Sequence, residues 1–259
     1  MSETRIVISG ITGRMGAALL RALPDAAGLQ LTGGIAGHDP GGLPCPVVTP
    51  DKAETVLRNA DVVVDFSTPS AVSGLITENA AAFAGKGIVI GTTGLGAEHE
   101  KAIDAIARDA AVLTAANFSI GVTLLLDLVR RAARVLTDGY DIEIVEAHHR
   151  NKVDAPSGTA LALARAAAAS RSVELDEVRI DGRTGNTGKR PDGAIALHAL
   201  RGGAVVGEHH VHFLGDAERI ELAHVASDRI LFAQGALHAA RWIRGQAPGR
   251  YSMNDVLGL

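Results

Sequence analysis

The densest group of side chains able to do chemistry lies in residues 146–160, EAHHRNKVDAPSGTA, referred to below as the 146–160 segment. Histidine is the side chain that exchanges protons near neutral pH, and His148 and His149 stand side by side. Lys152 supplies a compact cation with three hydrogen-bond donors. Ser157-Gly158-Thr159 opens a predicted helix, and backbone amides at a helix start attract anions. The segment therefore predicts a proton donor beside an anion-binding site.

Metal binding and nucleophilic catalysis fit these residues less well. Glu146 with the two histidines resembles a ligand set, but Lys152 would repel a metal ion, whereas it would hold a carboxylate. A second group lies at 209–212, where alternation along a strand puts His210 and His212 on one face and His209 on the other. Ser157 lacks the Gly-x-Ser-x-Gly turn of hydrolases and is better explained as a helix cap that also binds an anion. We expect no metal.

A glycine-rich turn near the start of the chain indicates what could act with this segment. The run RIVIS is followed by Gly10-Ile-Thr-Gly-Arg-Met-Gly16 and then by a helix-prone stretch. This order resembles the opening of a dinucleotide-binding unit, in which amides at a helix start bind a pyrophosphate. Thr12 stands where a second glycine is usual, so a purely structural turn remains an alternative. The candidate cofactor contacts are Gly10, Ile11, Thr12, Gly13, Arg14 and Met15.

Three further apolar runs alternate with helix-like stretches, and each ends in polar or small residues. The runs are 61–66, 87–90 and 112–114, with the nearly continuous hydrophobicity of parallel strands buried on both faces. Ligands gather at the carboxyl ends of such strands. Any one of these ends could be an ordinary turn, but together they predict an edge where a long cofactor lies. Its further candidate contacts are Gly91, Thr92, Thr93, Ala115, Ala116, Asn117 and Phe118.

The nucleotide preference is left open by the second predicted strand, residues 30–36. An acidic residue commonly ends this strand and holds the adenosine ribose. Here the chain has Ala36-Gly37, and Asp39 comes three residues late. Arg14 is the candidate contact for a 2′-phosphate, so either NADPH or NADH is expected, with a slight preference for NADPH.

The second half of the chain has a different pattern. A helix is predicted over 120–136, with Leu124, Leu128, Ala132 and Leu136 on one face. Alternating runs at 141–146, 194–200, 205–213 and 219–226 predict an antiparallel or mixed sheet. Helices are predicted at 159–170 and 229–244. The expected class is α/β, a Rossmann-type domain with a second α+β domain built on a mixed sheet.

Composition excludes several classes of protein. The 259 residues carry a net charge of −4 without a long basic run, which argues against nucleic-acid and membrane partners. Cys45 is the only cysteine, which excludes an internal disulfide and fits a reducing compartment. No signal peptide or membrane-spanning run is recognised, so we expect a cytoplasmic protein.

Several motifs together resemble the 4-hydroxy-tetrahydrodipicolinate reductase (dihydrodipicolinate reductase) family of lysine biosynthesis by the diaminopimelate route. They are Gly13-Arg-Met-Gly16, Asp65-Phe-Ser67, Gly91-Thr-Thr-Gly94, Ala116-Asn-Phe-Ser119 and EAHH…KVDAPSGT of the 146–160 segment, with Gly207-Glu-His209 and Asp255-Val-Leu257 later. The resemblance implies an NAD(P)H-dependent oxidoreductase, a homotetramer, acting on a cyclic imine with two carboxylates. It also implies a dinucleotide-binding domain of residues 1–118 and 229–259 and a substrate-binding and oligomerisation domain of residues 119–228.

The same resemblance implies roles within the 146–160 segment. His148 matches the proton donor and Lys152 a second acid and substrate cation. His149, Gly158 and Thr159 match contacts to substrate carboxylates, beside the anion binding already expected at Ser157. Two alternatives stay open: an NAD(P)-dependent dehydrogenase of another small carboxylate or semialdehyde, and a nucleotide-sensing protein without catalysis.

Overall fold

The computed structural model describes residues 3–259, which form two compact units. The first unit contains the chain up to Ile120 together with Ile230–Leu259, and the second contains Gly121–Arg229. The chain thus leaves the first unit once and returns to it, whereas the second unit is continuous. Each unit has its own sheet, with a hydrophobic core on each face of the sheet in the first unit and one core in the second.

The first unit contains a parallel sheet. Its strands are β1 (Thr4–Ser9), β2 (Leu29–Ile35), β3 (Val47–Val48), β4 (Val62–Asp65), β5 (Gly87–Ile90), β6 (Ala111–Thr114) and β12 (Gly249–Tyr251). The order across the sheet is β12-β6-β5-β4-β1-β2-β3, with every pairing parallel. All four residues of β4 are buried, as expected for a central strand covered on both faces.

Helices cover both faces of this sheet. They are α1 (Arg14–Ala22), α2 (Ala53–Leu57), α3 (Pro69–Glu78), α4 (Ala97–Ile106), α8 (Ile230–Ile243) and α9 (Met253–Leu257). One core packs α1, α8 and α9 on the sheet, and the other packs α2, α3 and α4 on the opposite face. Short 3-10 turns lie at Leu23–Asp25, Pro50–Lys52 and Ala80–Phe83. The predicted Rossmann-type arrangement is confirmed.

The second unit contains a mixed sheet. Its elements are α5 (Ile120–Val135), β7 (Asp141–His148), α6 (Gly158–Ser170), α7 (Leu175–Val178), β8 (Arg179–Asp181), β9 (Ile195–Arg201), β10 (Gly207–Leu214) and β11 (Arg219–Ala226). The order is β11-β10-β7-β9-β8. Strand β10 runs antiparallel to β7 and β11, whereas β7, β9 and β8 are parallel, so the predicted mixed sheet is confirmed. Its core packs α5 and α6 on one face.

The apolar face predicted for helix α5 is only partly covered by the rest of the chain. Leu124 and Leu128 are exposed, while the buried residues are Val122, Thr123, Leu125, Val129 and Ala133. Three consecutive leucines make two neighbouring stripes apolar, so periodicity alone does not identify the one that meets the sheet. Ala132 and Leu136 of the predicted apolar face pack against the core, whereas Leu124 and Leu128 leave an apolar strip on the surface of this unit.

The elements absent from the sequence prediction are short. Strands β3, β8 and β12 have two or three residues, and helices α7 and α9 have four or five. Such segments are too short to show a period, and pairing with a neighbour specifies them, as β12 pairs with β6. Across residues 3–259, no helix combines the length and apolar character needed to cross a bilayer.

Candidate active site

The glycine turn of the first unit has the geometry of an anion-binding site. Gly13 is the N-cap of α1 and offers no side-chain cap to the amides of the first turn. Thr12, Gly13 and Arg14 are exposed around it. Gly10 has φ +77°, and a Cβ there would lie 2.5 Å from the carbonyl oxygen of Phe66, so only glycine fits. These residues can hold a diphosphate at the start of α1.

Two of the predicted contacts in this turn have side chains that point elsewhere. Ile11 is 1% exposed, belongs to the core and lies against Gly34. Met15 is half-buried and packs against the same core. The backbone atoms of either residue can therefore contact a nucleotide, but the buried side chain of Ile11 cannot.

The residues that follow strands β5 and β6 line a cavity of about 260 Å³. Thr92, Thr93, Ala115 and Ala116 are among its lining residues, so the structure brings together these predicted contacts from β5 and β6. Phe118 is buried, with its ring centroid 5.4 Å from that of Phe66. The Oδ1 atom of Asn117 accepts the N–H of Ser119 at 2.8 Å, which makes Asn117 a turn residue.

No carboxylate lies at the end of β2, where an acidic residue would commonly hold the adenosine ribose. Ala36 is buried, and Gly37 and His38 are exposed. Asp39 accepts the N–H of Gly41 at 2.9 Å and so stabilises its own loop. The exposed guanidinium of Arg14 remains the cation of the glycine turn.

In the second unit, the 146–160 segment is organised around the carboxylate of Glu146, which is fully buried. Its Oε2 atom lies 2.6 Å from Nδ1 of His148 and 2.8 Å from Nη1 of Arg201. Its Oε1 atom accepts Nη2 of Arg201 at 2.7 Å and the backbone N–H of Ser157 at 2.9 Å. One carboxylate therefore contacts both the predicted proton donor and the start of α6.

Burial would raise the pKa of Glu146, but hydrogen bonds from Arg201, His148 and the Ser157 amide outweigh it and hold the pKa below its usual range. The group is ionised at neutral pH. A buried anion at Nδ1 fixes the orientation of the His148 ring and directs Nε2 away from Glu146.

His209 is a second buried partner of this cluster. Its Nε2 atom lies 3.1 Å from Oγ of Ser157, and its ring meets that of His148 edge to face at 5.3 Å between centroids. Burial, followed by the nearby His148, lowers the pKa of His209 to about 4. His209 is therefore neutral at physiological pH and serves as a hydrogen-bonding support for Ser157.

Ser157 has the structural role predicted for it. It is the N-cap of α6, and its Oγ atom accepts the N–H of Ala160 at 3.2 Å. Gly158 and Thr159 form the first turn behind it, and a Cβ on Gly158 would meet nothing within 4 Å. The Ser157 amide already donates to Glu146, and the backbone at Gly158 has open space beside it.

The remaining predicted residues of the segment have charged neighbours. Both carboxylate oxygens of Asp154 lie 2.8 Å from Nζ of Lys152. Nη2 of Arg229 lies 2.9 Å from Nε2 of His149. Arginine can only donate, so Nε2 accepts and Nδ1 carries the proton. That Nδ1 atom is buried and has no hydrogen-bond partner among the described residues.

Sequence reasoning missed Arg201 and Arg229 and left His209 without a role. Strand register explains two of these contacts, since His209 is paired with Glu146 across β10 and β7, and Arg201 with His148 across β9 and β7. The available signal was the alternation of β10, which separates His209 from His210 and His212. That separation is confirmed: His209 is buried, and the other two stack on the outer face at 6.2 Å.

In the described part of the chain, no group of three His, Cys, Asp or Glu side chains is arranged to hold a metal ion. On the outer face of the sheet, the carboxylate oxygens of Glu221 lie 3.1 and 3.8 Å from the Nδ1 atoms of His210 and His212.

Comparison with known proteins matches both halves of the chain to models of one family. The family model described as "Dihydrodipicolinate reductase, N-terminus" matches residues 4–118, and "Dihydrodipicolinate reductase, C-terminus" matches residues 121–257. A 4-hydroxy-tetrahydrodipicolinate reductase of Rhodopseudomonas palustris (strain HaA2) is 48% identical over 100% of this chain and 99% of that protein. The enzyme of the same name from Methylocella silvestris is 47% identical over 100% of this chain and 98% of its own length.

Solved structures are similar in fold. A dipicolinate-bound dihydrodipicolinate reductase from Paenisporosarcina sp. TG-14 superposes with a TM-score of 0.79 at 24% identity, covering 96% of this chain and 97% of that one. A diaminopimelate (DAP) dehydrogenase from C. glutamicum in complex with DAP has a TM-score of 0.57 at 12% identity, covering 98% of this chain and 93% of that one.

Proposed function

Because the chain belongs to the dihydrodipicolinate reductase family, the NAD(P)H-dependent reductases of 4-hydroxy-tetrahydrodipicolinate, we propose that the 146–160 segment carries the acid and anion-binding parts of this reaction. The observation that supports the proposal is the position of Glu146, which contacts both the His148 imidazole and the start of α6. A proton donor and an anion-binding helix start are thereby held by one buried group.

His148 is the proton donor in this proposal. Loss of the C4 hydroxyl as water leaves a C=C bond at C4 conjugated with the ring imine, and a bound nicotinamide would supply the hydride to C4. The negative charge then shared by the ring nitrogen and the carbon next to C4 requires a proton at that carbon, which His148 would donate. Glu146 orients the imidazole through its Oε2 atom, which lies 2.6 Å from Nδ1. Lys152 is the second acid and cation, held in place by Asp154.

The carboxylates of the substrate bind at the start of α6 and at His149. Ser157, Gly158 and Thr159 present the positive end of the helix dipole. The protonated Nδ1 atom of His149 is a buried donor without a partner among the described residues, and the adjacent Arg229 adds positive charge. A carboxylate beside His149 would pair with the Arg229 cation.

The cofactor edge is assigned to residues 10–15, 91–93 and 115–118, with the diphosphate at the start of α1. We assign nucleotide binding to residues 1–118 and 229–259, and substrate binding and oligomerisation to residues 119–228. Since no carboxylate ends β2 and Arg14 is exposed, NADPH is the favoured nucleotide.

A cytoplasmic homotetramer completes the proposal. The second unit exposes Leu124, Leu128, Leu200 and Val225, which are large apolar side chains with no covering segment in the described chain. Their burial between copies of this chain would remove them from water.

A direct assay tests the function. Purified protein is mixed with NADPH or NADH and freshly prepared 4-hydroxy-tetrahydrodipicolinate, and loss of the reduced-nicotinamide absorbance is followed. We expect oxidation only when substrate is present, with competitive inhibition by dipicolinate. Failure to oxidise either nucleotide would refute the proposal, and oxidation that favours an unrelated semialdehyde would indicate a different substrate.

A further inference from the structure

Asp65, the last residue of β4, is a fully buried carboxylate in the first unit that the proposed reaction does not use. Its Oδ1 atom accepts the hydroxyl of Thr92 at 2.6 Å and the N–H of Ser67 at 3.3 Å. Its Oδ2 atom accepts the hydroxyl of Ser67 at 2.8 Å. The hydroxyl of Ser9 is a further hydrogen-bond partner. Donors from three separate segments therefore converge on one side chain.

These three segments are the ends of adjacent strands. Ser9 ends β1 directly before Gly10, Ser67 follows β4, and Thr92 follows β5. Strands β1, β4 and β5 are neighbours in the sheet, and all three run parallel, so their carboxyl ends meet at one edge. Asp65 thus joins the glycine turn at residue 10 to the turn at 91–93.

The packing around Asp65 leaves these turns little freedom. A Cβ on Gly91 would lie 2.1 Å from the ring of Phe66, and one on Gly10 would lie 2.5 Å from the Phe66 carbonyl oxygen. Thr92 is 7% exposed because its hydroxyl points inward to Asp65. The neighbouring Thr93 is exposed. The Thr92 hydroxyl therefore serves the turn and is not directed at a ligand.

Burying a carboxylate without a neighbouring cation costs folding free energy. The presence of Asp65 at this position therefore suggests a role beyond stability. In residues 3–259 no lysine, arginine or histidine forms an ion pair with Asp65, and hydrogen bonds are its only compensation. Burial raises the pKa of Asp65, and the bonds from Ser9, Thr92 and Ser67 oppose that rise only in part. An amide or apolar side chain would avoid this cost, so the carboxylate has a use other than stability.

We propose that Asp65 is a positioning residue for the nucleotide, a buried acceptor that holds the turns at Gly10 and at Gly91–Thr93 in the one arrangement that fits the cofactor. The proposal rests on the assignment of these turns to the nucleotide. A fixed arrangement lowers the ordering cost that a flexible pair of turns would impose on binding. Loss of Asp65 should therefore weaken nucleotide binding more than it changes turnover at saturation.

The test compares Asp65→Asn with Asp61→Asn. Asp61 lies just before the opposite end of the same strand, where it pairs with Arg5, so it is a matched control away from the cofactor edge. Nucleotide Kd is measured by titration of the intact protein with NADPH and NADH, followed by nucleotide KM and kcat. We expect Asp65→Asn to raise Kd and KM at least about tenfold. The kcat at saturation should stay within about threefold, and Asp61→Asn should bind like the wild type.

Thermal unfolding separates positioning from a purely structural role. Asparagine keeps the shape of the side chain and one acceptor oxygen for Thr92 and the Ser67 amide, so Asp65→Asn should melt close to the wild type. Weaker binding by an equally stable variant supports the proposal. Binding within twofold of the wild type overturns it.

A second variant covers the case in which Asp65→Asn does not fold. Thr92→Val keeps the shape of the side chain and removes only the donor to Asp65. It should raise nucleotide Kd severalfold, and an unchanged Kd would also overturn the proposal. If the wild type binds neither nucleotide, the assigned function fails instead, so the two failures are distinguishable.

Discussion

The Oε2 atom of Glu146 lies 2.6 Å from Nδ1 of His148, and the two residues are separated by one position along β7. Residues two apart on a strand share a face, so both side chains are directed toward the same side of the sheet. The Arg201 guanidinium and the Ser157 amide complete the environment of the carboxylate. The His148 imidazole is therefore oriented by a fully buried partner.

Substitution of His148 or of Glu146 should lower kcat and leave the affinity for the nucleotide unchanged. His148→Gln removes the acid and should lower kcat by roughly 10²–10⁴-fold, the range for a positioned general acid. Glu146→Gln keeps the shape but removes the charge, so its kcat should fall between those of the wild type and His148→Gln. Nucleotide Kd should be unchanged in both, because their contacts lie in the second unit.

The matched control for that pair is Glu177→Gln, which alters an exposed carboxylate in α7 of the same unit. Its kcat should equal that of the wild type. Wild-type turnover by Glu146→Gln would contradict the orienting role, and wild-type turnover by His148→Gln would remove the assigned acid.

Arg229→Ala should raise the KM for the dicarboxylate substrate. The change removes a cation and leaves Nε2 of His149, now 2.9 Å from Arg229, without its donor. Charge-assisted bonds of this kind contribute about 1.5–3 kcal/mol, so KM should rise roughly 10- to 100-fold with a smaller change in kcat. Steady-state kinetics and competition by dipicolinate measure the effect. Arg131→Ala, on the surface of α5, is the control, and an equal KM in the two variants would refute the contact.

Arg14→Ala should distinguish the two nucleotides. If the guanidinium contacts the 2′-phosphate, its removal should raise the KM for NADPH about tenfold and leave that for NADH nearly unchanged. Arg21→Ala, near the other end of α1, controls for the loss of one positive charge from the same helix. An equal rise for both nucleotides would indicate instead that Arg14 contacts the diphosphate.

Glu143 should make folding stability depend on acid pH. Burial would raise its pKa, but hydrogen bonds from Arg183, His198 and Arg190 bring the pKa from 4.5 down to about 2. An acid whose folded pKa is depressed contributes stability above its unfolded pKa and loses it as pH falls through the folded pKa. This contribution should therefore be complete above about pH 4.5 and disappear toward pH 2.

Denaturant unfolding across that pH range measures the contribution. Glu143→Gln should lower the free energy of unfolding at neutral pH by about 3 kcal/mol, because two arginines lose a shared partner, and should flatten the acid dependence. Glu54→Gln, in an exposed i,i+4 pair with Arg58, should cost only about 0.3–0.5 kcal/mol. Parallel pH curves for wild type and Glu143→Gln would contradict the assignment.

Most of the fold could be predicted because its elements are long and periodic. The run at 87–90 and the strand at 219–226 have the predicted limits, and α5, α6 and α8 lie within one or two residues of the predicted helices. The buried stripe of α5 was not predictable, since three adjacent leucines satisfy two stripes equally. The short strands β3, β8 and β12 carry no period of their own.

The sequence by itself determined the alternation of strand and helix, the strand ends that gather at one edge, and the 146–160 segment with His148, His149 and Lys152. Local spacing suffices for these features because each is encoded within one element or turn. Only the tertiary structure decided which distant residues support them. Register across β7, β9 and β10 brings Arg201 and His209 to Glu146, and Arg229 reaches His149 from 80 residues away. Such contacts depend on strand pairing, which a single sequence does not specify.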